Sequence, residues 1–298
     1  MKKRSFVLSL LTFFLFIVAP CWAAEVHFYN QEEKALEKIN FFRENLSNFE
    51  EKAPCFHGWE TLPPLALSDS LNQAAREFLR QAVEELSFSH LLPDGSTPKS
   101  RVEETGYKAL LVGESLAYLG FENYVSPEEA LSVVLDWLLE KALKQESKEA
   151  APFLFPLYQD FGMAMAGVTL SFEGKTYNFY LFCFLFALPN QKNISFIFGR
   201  VFDDQDFDGV FIPEEGLGKT KVSFHHVDGS LWWETETFSD GSFCIPLNGE
   251  GVLEIEPIEK KEFKNPEIQI FAPVNPFIKM PEAFVFDSWL NLASGGQN

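Results

Sequence analysis

The chain has 298 residues, of which 46% are hydrophobic and 22% are charged, and its formal net charge is −19. This length allows two domains of ordinary size, each with a hydrophobic core. A chain this acidic repels nucleic-acid phosphates and anionic membrane surfaces, so we exclude both as partners.

The first 24 residues have the three parts of a secretory signal peptide. A basic start, Lys2-Lys3-Arg4, precedes an apolar run over residues 6–18 and a cleavage site at residues 21–23. The apolar run is shorter than the roughly 20 residues of a membrane span, so we expect cleavage and no stable membrane anchor. Cleavage would move the net charge from −19 to −22. The predicted localisation is therefore secreted, either extracellular or at the cell surface.

Three cysteines follow the signal peptide: Cys55, Cys183 and Cys244. Export permits disulfides, but an odd count leaves at least one thiol free, and no C-x-x-C pair occurs. Cys183 lies in an apolar run, where a buried thiol is expected. The sequence leaves the pairing of the three open.

The first half of the chain shows helical periodicity and helix-capping residues. Helices are predicted over residues 32–49, 70–86, 97–105 and 126–144. Ser68-Asp69 is a capping pair before the second helix. Thr97-Pro98 and Ser126-Pro127 each place a cap residue before a proline at the first helical position.

Strands and turns are predicted for the rest of the chain. A hairpin is predicted from residues 163–171 and 177–187. After a linker at residues 188–193, short strands follow at residues 198–202, 220–225, 231–238, 243–247 and 251–256. Residues 259–298 are interrupted by prolines, and residues 281–292 are predicted to form one short amphipathic helix.

One stretch carries a family resemblance. Phe88-Ser89-His90 is followed by D-G-S-T-P at residues 94–98, then Arg101, Gly106-Tyr107 and Gly113-Glu114. This order resembles the core of the CAP superfamily, the cysteine-rich secretory, antigen 5 and pathogenesis-related (SCP-like) proteins. I-N-x-x-R at residues 39–43 and L-P-P-L at residues 62–65 extend the resemblance, which covers roughly residues 33–188. The low cysteine count favours a bacterial-type member.

The resemblance implies an α+β fold, with an α-β-α sandwich over residues 30–190. It also implies that His90 and Glu114 face each other across a cavity, with Glu140 of the W-x-x-E step as a second acid. Family members complete this tetrad with a second histidine, but no histidine occurs between His90 and His225, and Glu149 stands near the expected place. One imidazole with carboxylates is a poor ligand set for catalytic zinc, so we do not expect zinc. A His–Glu pair retains the capacity for acid–base chemistry.

The second half carries another resemblance. Residues 199–222 and the D-G-S-F step at residues 240–243 are similar to the B-repeat (Cna-B-type, prealbumin-like) domains of bacterial surface adhesins. The resemblance implies a small Ig-like β-sandwich over residues 194–258, followed by a C-terminal extension at residues 259–298.

An acidic loop in this segment matches a calcium-binding pattern. Asp204, Asp206 and Asp208 stand at alternate positions, Gly209 follows, and Glu215 is the twelfth residue. The Val210 carbonyl would be the ligand at position seven. We predict a structural calcium ion here, because three aspartates within five residues repel one another unless a cation lies between them. The alternative is a solvated acidic turn.

Three functions remain open from the sequence. The first is a secreted binding or interaction module with a calcium-stabilised β-sandwich, whose ligand is an unidentified lipid, glycan or protein. The second is a metal-assisted or acid–base hydrolase that uses His90 and Glu114. The third is a purely architectural spacer.

Overall fold

The computed structural model describes residues 26–49, 52–56, 59–172, 175–190, 196–208, 211–246, 251–257, 266–270 and 277–279. Four α-helices and twelve β-strands lie within these ranges, and the strands pair mainly in antiparallel sheets. The predicted α+β class is confirmed. The predicted signal peptide and the predicted helix at residues 281–292 lie outside the described residues.

All four predicted helices are present: α1 (Glu32–Glu44), α2 (Asp69–Glu84), α3 (Pro98–Glu104) and α4 (Pro127–Lys144). Ser68 caps α2 by accepting a hydrogen bond from the Leu71 amide at 3.4 Å. Thr97 and Ser100 form a reciprocal capping box at the start of α3. The helix α1 ends at Glu44, earlier than predicted, because the chain tightens into a 3₁₀ turn over Leu46–Asn48.

The largest sheet has five strands: β1 (His27–Tyr29), β2 (Ala66–Leu67), β3 (Ala109–Phe121), β4 (Asp160–Phe172) and β5 (Lys175–Pro189). Its order is β1-β4-β5-β3, with β2 pairing parallel to β4. The predicted hairpin is β4–β5. The sequence did not predict β3, because most of its residues are buried on both sides and it lacks the polar–apolar alternation of a half-exposed strand.

The helix α2 packs directly on this sheet. Its inward residues, Leu71, Ala74, Ala75, Phe78 and Leu79, belong to one core cluster with β4 and β5 residues such as Ala164, Cys183 and Leu185. The contact is close at Gly162, where an added Cβ would lie 2.4 Å from Leu71 Cβ and 2.5 Å from the Asn72 amide nitrogen. The packing of α2 therefore depends on the absence of a side chain at Gly162.

Two smaller sheets form from the later residues. One has the order β12-β10-β7-β8 and the other β11-β6-β9. The strands are β6 (Phe196–Asp203), β7 (Thr220–His226), β8 (Leu231–Glu236), β9 (Ser242–Pro246), β10 (Gly251–Pro257), β11 (Pro266–Ile270) and β12 (Phe277–Lys279). The strands β6 to β10 match the predicted strands, whereas β11 and β12 arise from residues 259–298.

The two smaller sheets enclose a shared core. Ile197 and Val201 of β6 and Phe243 and Ile245 of β9 belong to one cluster with residues of the other sheet, Val222, Phe224, Leu253 and Ile255. This is the arrangement of a β-sandwich, in which alternate residues of each strand point inward.

The chain divides into two compact units. One comprises Met1–Lys38, Leu65–Trp137 and Asp160–Pro189, and the other comprises Ile39–Pro64, Leu138–Gln159 and Asn190–Asn298. Neither unit is one continuous segment. The predicted domain limits, residues 30–190 and 194–258, stay a prediction.

Arg43 stabilises irregular segments of the second unit. Its side chain is fully buried and donates to four backbone carbonyls. Nε donates to Pro63 at 2.8 Å, and the terminal nitrogens donate to Phe153, Phe155 and Tyr158 at 3.1, 3.0 and 3.3 Å. Arg43 thus supplies hydrogen-bond donors to four backbone carbonyls of the segments around it.

Candidate functional site: a buried His–Glu–Arg group

His90 and Glu114, which the family resemblance placed on opposite sides of a cavity, lie in direct contact. His90 lies in the loop between α2 and α3, and Glu114 lies in β3. His90 Nδ1 is 2.8 Å from Glu114 Oε1, and both side chains are almost completely buried. Because an ionised carboxylate only accepts hydrogen bonds, His90 donates from Nδ1.

Arg101 of α3 is the third member of this group. Its Nη2 donates to both Glu114 oxygens, at 3.0 and 2.8 Å, and its Nη1 donates to the backbone carbonyls of His90 and Ser96 at 3.1 and 2.9 Å. The guanidinium also lies over the Phe78 ring, 4.7 Å from its centroid. Arg101 therefore links the His90 loop, α2 and β3.

The electrostatics favour an ionised Glu114. Burial by itself would raise the pKa of this carboxyl group. The positive charge of Arg101 and the hydrogen bond from His90 outweigh that effect, so the pKa of Glu114 is lowered. The Cys183 thiol adds a contact of 3.7 Å to Oε2. Both Glu114 oxygens are thus occupied by protein donors.

Glu140 has a different environment. Its side chain is 61% exposed and pairs with Lys144 one helical turn further along α4, at 3.1 Å. The residues around it in sequence, Leu138, Leu139 and Ala142, are buried. The helical repeat therefore turns Glu140 toward solvent, and the structure does not bury it as a cavity acid. Glu149, which stood near the expected second histidine, is partly exposed in the 3₁₀ segment Lys148–Leu154.

Sequence reasoning gave Arg101 no role. Arg101 lies 11 residues after His90 and 13 before Glu114, and no local spacing connects the three. A signal was present, because Arg101 belongs to the motif that carries the family resemblance, between His90 and Glu114. A buried guanidinium then requires a carboxylate partner.

The acidic loop is a second candidate site. Asp204, Asp206 and Asp208 each offer a carboxylate oxygen, and these oxygens lie within 4.8 Å of one another. Asp204 is buried, and the other two are exposed. The Asp208 amide donates to Asp204 Oδ1 at 3.2 Å and to Asp206 Oδ1 at 3.3 Å, so the backbone curls around the carboxylates. Gly209 and Val210 lie outside the described residues.

Glu215 closes this loop from its other end. Its carboxylate accepts hydrogen bonds from the amides of Gln205 at 2.9 Å and Ile212 at 3.4 Å. Burial, and then the negative charges of Asp206 and Asp204, raise the pKa of Glu215. Partial desolvation and then the neighbouring carboxylates Asp208 and Asp204 also raise the pKa of Asp206. A donor set of hard carboxylate oxygens that repel one another fits a hard cation such as Ca²⁺.

Comparisons with known proteins complete the description. No family model matches the chain, and no curated protein is significantly similar to it. Among solved structures, an outer surface protein of Borrelia burgdorferi is 18% identical with a TM-score of 0.37, over 56% of this chain and 100% of that one. An extracellular protein of Bacillus anthracis containing an SCP domain is 15% identical with a TM-score of 0.29, over 50% of this chain and 41% of that one. Neither TM-score reaches 0.5, so no property of either protein is transferred to this chain.

The described helices were also compared with the requirements of a membrane span. Among the residues that the structure describes, no helix combines the length and the hydropathy needed to cross a bilayer.

Proposed function

We propose that this chain is a secreted CAP-type binding module, in which the His90–Glu114–Arg101 group stabilises the fold and a calcium ion stabilises the acidic loop. The sequence motifs and the N-terminal signal pattern support export and the CAP resemblance. The choice between a binding module and an enzyme rests on the buried group.

The hydrogen bonds to Glu114 decide between a binding module and an enzyme that uses this carboxylate. Glu114 could act as a general base or a metal ligand only through a carboxylate oxygen directed at the substrate or the ion. Both oxygens of Glu114 instead accept hydrogen bonds from Arg101, and one also accepts from His90. Freeing an oxygen would leave a buried guanidinium with fewer acceptors, at a cost of several kcal/mol. We therefore assign the group a structural role.

The test is the substitution His90→Ala. We expect it to lower the free energy of unfolding, because Glu114 loses a hydrogen bond and a cavity remains, by about 2–4 kcal/mol. The wild-type protein and the variant are assayed in parallel with chromogenic ester, peptide and glycoside substrates. Turnover by the wild type that disappears in a folded His90→Ala variant would contradict the proposal and favour the hydrolase.

Calcium at the acidic loop is the second part of the proposal. It is supported by the three converging aspartates, by the raised pKa values of Asp206 and Glu215, and by the D-x-D-x-D-G spacing. The ion would replace mutual repulsion of the carboxylates with coordination. It would thereby fix the connection that follows β6 in the sandwich.

We expect calcium to raise the melting temperature. Extracellular calcium modules bind at about 10⁻⁴–10⁻³ M, so about 10 mM calcium should add about 1–3 kcal/mol relative to a chelator. The double variant Asp206→Asn, Asp208→Asn should lose this increment. Asp228→Asn, in the β7–β8 turn, is the matched control and should keep it. The calcium assignment would be contradicted if the calcium-dependent increment in stability were unchanged in the double variant or absent from the wild type.

A further inference from the structure

Four aromatic residues cluster at one end of the five-stranded sheet, outside the buried group. Tyr29 ends β1, Phe121 ends β3, Tyr180 lies in β5, and Tyr124 follows in the β3–α4 connection. Tyr180 is buried, and its ring centroid lies 5.9 Å from that of Tyr29 and 6.2 Å from that of Phe121. Tyr124 is 75% exposed. We call these four residues the aromatic cluster.

The backbone makes room for this cluster. An added Cβ at Gly167 would lie 2.9 Å from both Cε2 and Oη of Tyr29, so the Tyr29 ring rests directly on the sheet. The ring of His27, on the same strand, packs edge-on against Tyr29 with centroids 4.8 Å apart. The orientation of Tyr29 is therefore fixed by its surroundings, as a preformed binding surface requires.

Polar groups converge on the same cluster. The Tyr180 hydroxyl donates to the Val125 carbonyl. This hydrogen bond brings the β3–α4 connection, which carries Tyr124, next to the rest of the cluster. After burial, which is the larger cause, neighbouring tyrosines raise the pKa of Tyr29 and raise that of Tyr180 to about 12. Glu128, in the first turn of α4, also acts on Tyr180.

An amide beside the cluster has an unused acceptor. Gln31 is 7% exposed, and its Nε2 donates to Glu128 Oε1 at 3.2 Å. No donor lies within hydrogen-bond distance of Gln31 Oε1 among the residues that the structure describes. Buried acceptors are normally paired, so Gln31 Oε1 is available to accept a hydrogen bond from a ligand hydroxyl.

We propose that the aromatic cluster, with Glu128 and Gln31, binds a sugar ring of a neutral glycan. Flat aromatic faces pack against the apolar C–H face of a sugar, while hydroxyl, carboxylate and amide groups pair with its hydroxyls. Small-molecule sites combine such an apolar surface with a few convergent polar groups. The Glu128 carboxylate and the acidic chain disfavour an anionic glycan. This inference rests on the proposed binding function and names its ligand class.

The experiment titrates the full mature protein with cellohexaose, chitohexaose and mannohexaose by calorimetry. We expect saturable binding of at least one of them. Tyr124→Ala should weaken that binding about fivefold or more, since it removes one aromatic face. Because Tyr124 is largely exposed, the substitution should not lower the melting temperature of the protein. Glu128→Gln should weaken it as well. Phe41→Ala removes an exposed aromatic ring on α1 and should leave binding unchanged.

Two outcomes would overturn the glycan site. One is no saturable binding of any of the three sugars, and the other is sugar binding that Tyr124→Ala leaves intact. A protein that binds no sugar, yet keeps its calcium response and shows no turnover, contradicts this inference alone. Turnover lost in His90→Ala contradicts the proposed function instead.

Discussion

The Glu114 carboxylate accepts hydrogen bonds from one permanently charged side chain, Arg101, and from the imidazole of His90. Its negative charge compensates a guanidinium that is itself almost fully buried. A buried ion pair contributes little more to the free energy of unfolding than well-packed apolar residues of the same volume would. Removal of one partner, however, leaves an uncompensated buried charge.

Glu114→Gln should therefore be strongly destabilising. We expect the free energy of unfolding to fall by about 3–5 kcal/mol, because Arg101 keeps its charge and loses its counter-ion. Urea denaturation gives the value. Glu140→Gln is the matched control, since it neutralises an exposed acid paired with Lys144, and it should cost less than about 0.5 kcal/mol. Equal effects of the two substitutions would contradict the assignment of Glu114 as the buried acid.

The same residue predicts a pH dependence. The pKa of Glu114 is lower in the folded protein than in the unfolded chain, so its contribution is fully present above the unfolded value, near pH 4.5. It is lost as the pH falls through the lowered folded value. The stability difference between wild type and Glu114→Gln, measured in urea from neutral to acid pH, should shrink below that point. A difference that stays constant with pH would show that Glu114 is not held ionised by Arg101 and His90.

A motif named His90 and Glu114, which the structure places in contact, whereas the side-chain orientations that packing sets were not foreseen from the sequence. His90 and Glu114 came from the family resemblance. Arg101 belongs to the same motif, but the resemblance gave it no role, because that role arises only when α3 folds against β3. Glu140 was chosen by a four-residue motif, whereas its orientation is set by the buried leucines of α4.

At the scale of elements, α2 approaches β4 closely at Gly162, where an added Cβ would lie 2.4 Å from Leu71 Cβ. Gly162→Ala should destabilise the protein by about 1–3 kcal/mol or more, because the new Cβ meets backbone atoms that cannot move aside. Gly95→Ala is the control. It introduces strain at a positive φ of 83°, but its Cβ meets nothing within 4 Å. Urea denaturation should rank Gly162→Ala as the more damaging, and the reverse order would contradict the packing.

The helices and strands also show which elements the periodicity of apolar residues in the sequence can predict. Helices with caps, and hairpins with glycine turns, were predictable because local chemistry defines their ends. The strand β3 was missed because it is buried from both sides. The strands β11 and β12 were missed because their pairing partners lie far back in the chain, at β6 and β10.

At the scale of the whole molecule, the net charge of −19 makes the compact state repel itself. Raising the NaCl concentration from about 10 mM to about 150 mM shortens the Debye length from about 30 Å to about 8 Å, and the melting temperature should rise. The calcium increment should be measured at equal ionic strength, so that screening and coordination are separated. A falling melting temperature would show that surface ion pairs such as Lys38–Asp136 outweigh the repulsion.

The three buried thiols described above have a use beyond packing. Cys55, Cys183 and Cys244 are all buried and form no disulfide among the residues that the structure describes, and burial raises the pKa of Cys55 and Cys244. A buried thiol reacts with an alkylating reagent only while its surroundings are open. Cys183 lies in one compact unit and the other two cysteines lie in the second. The rate at which each thiol is alkylated therefore reports how often the region around it opens. Mass spectrometry of the alkylated cysteines thus measures local unfolding at three positions of the natural sequence.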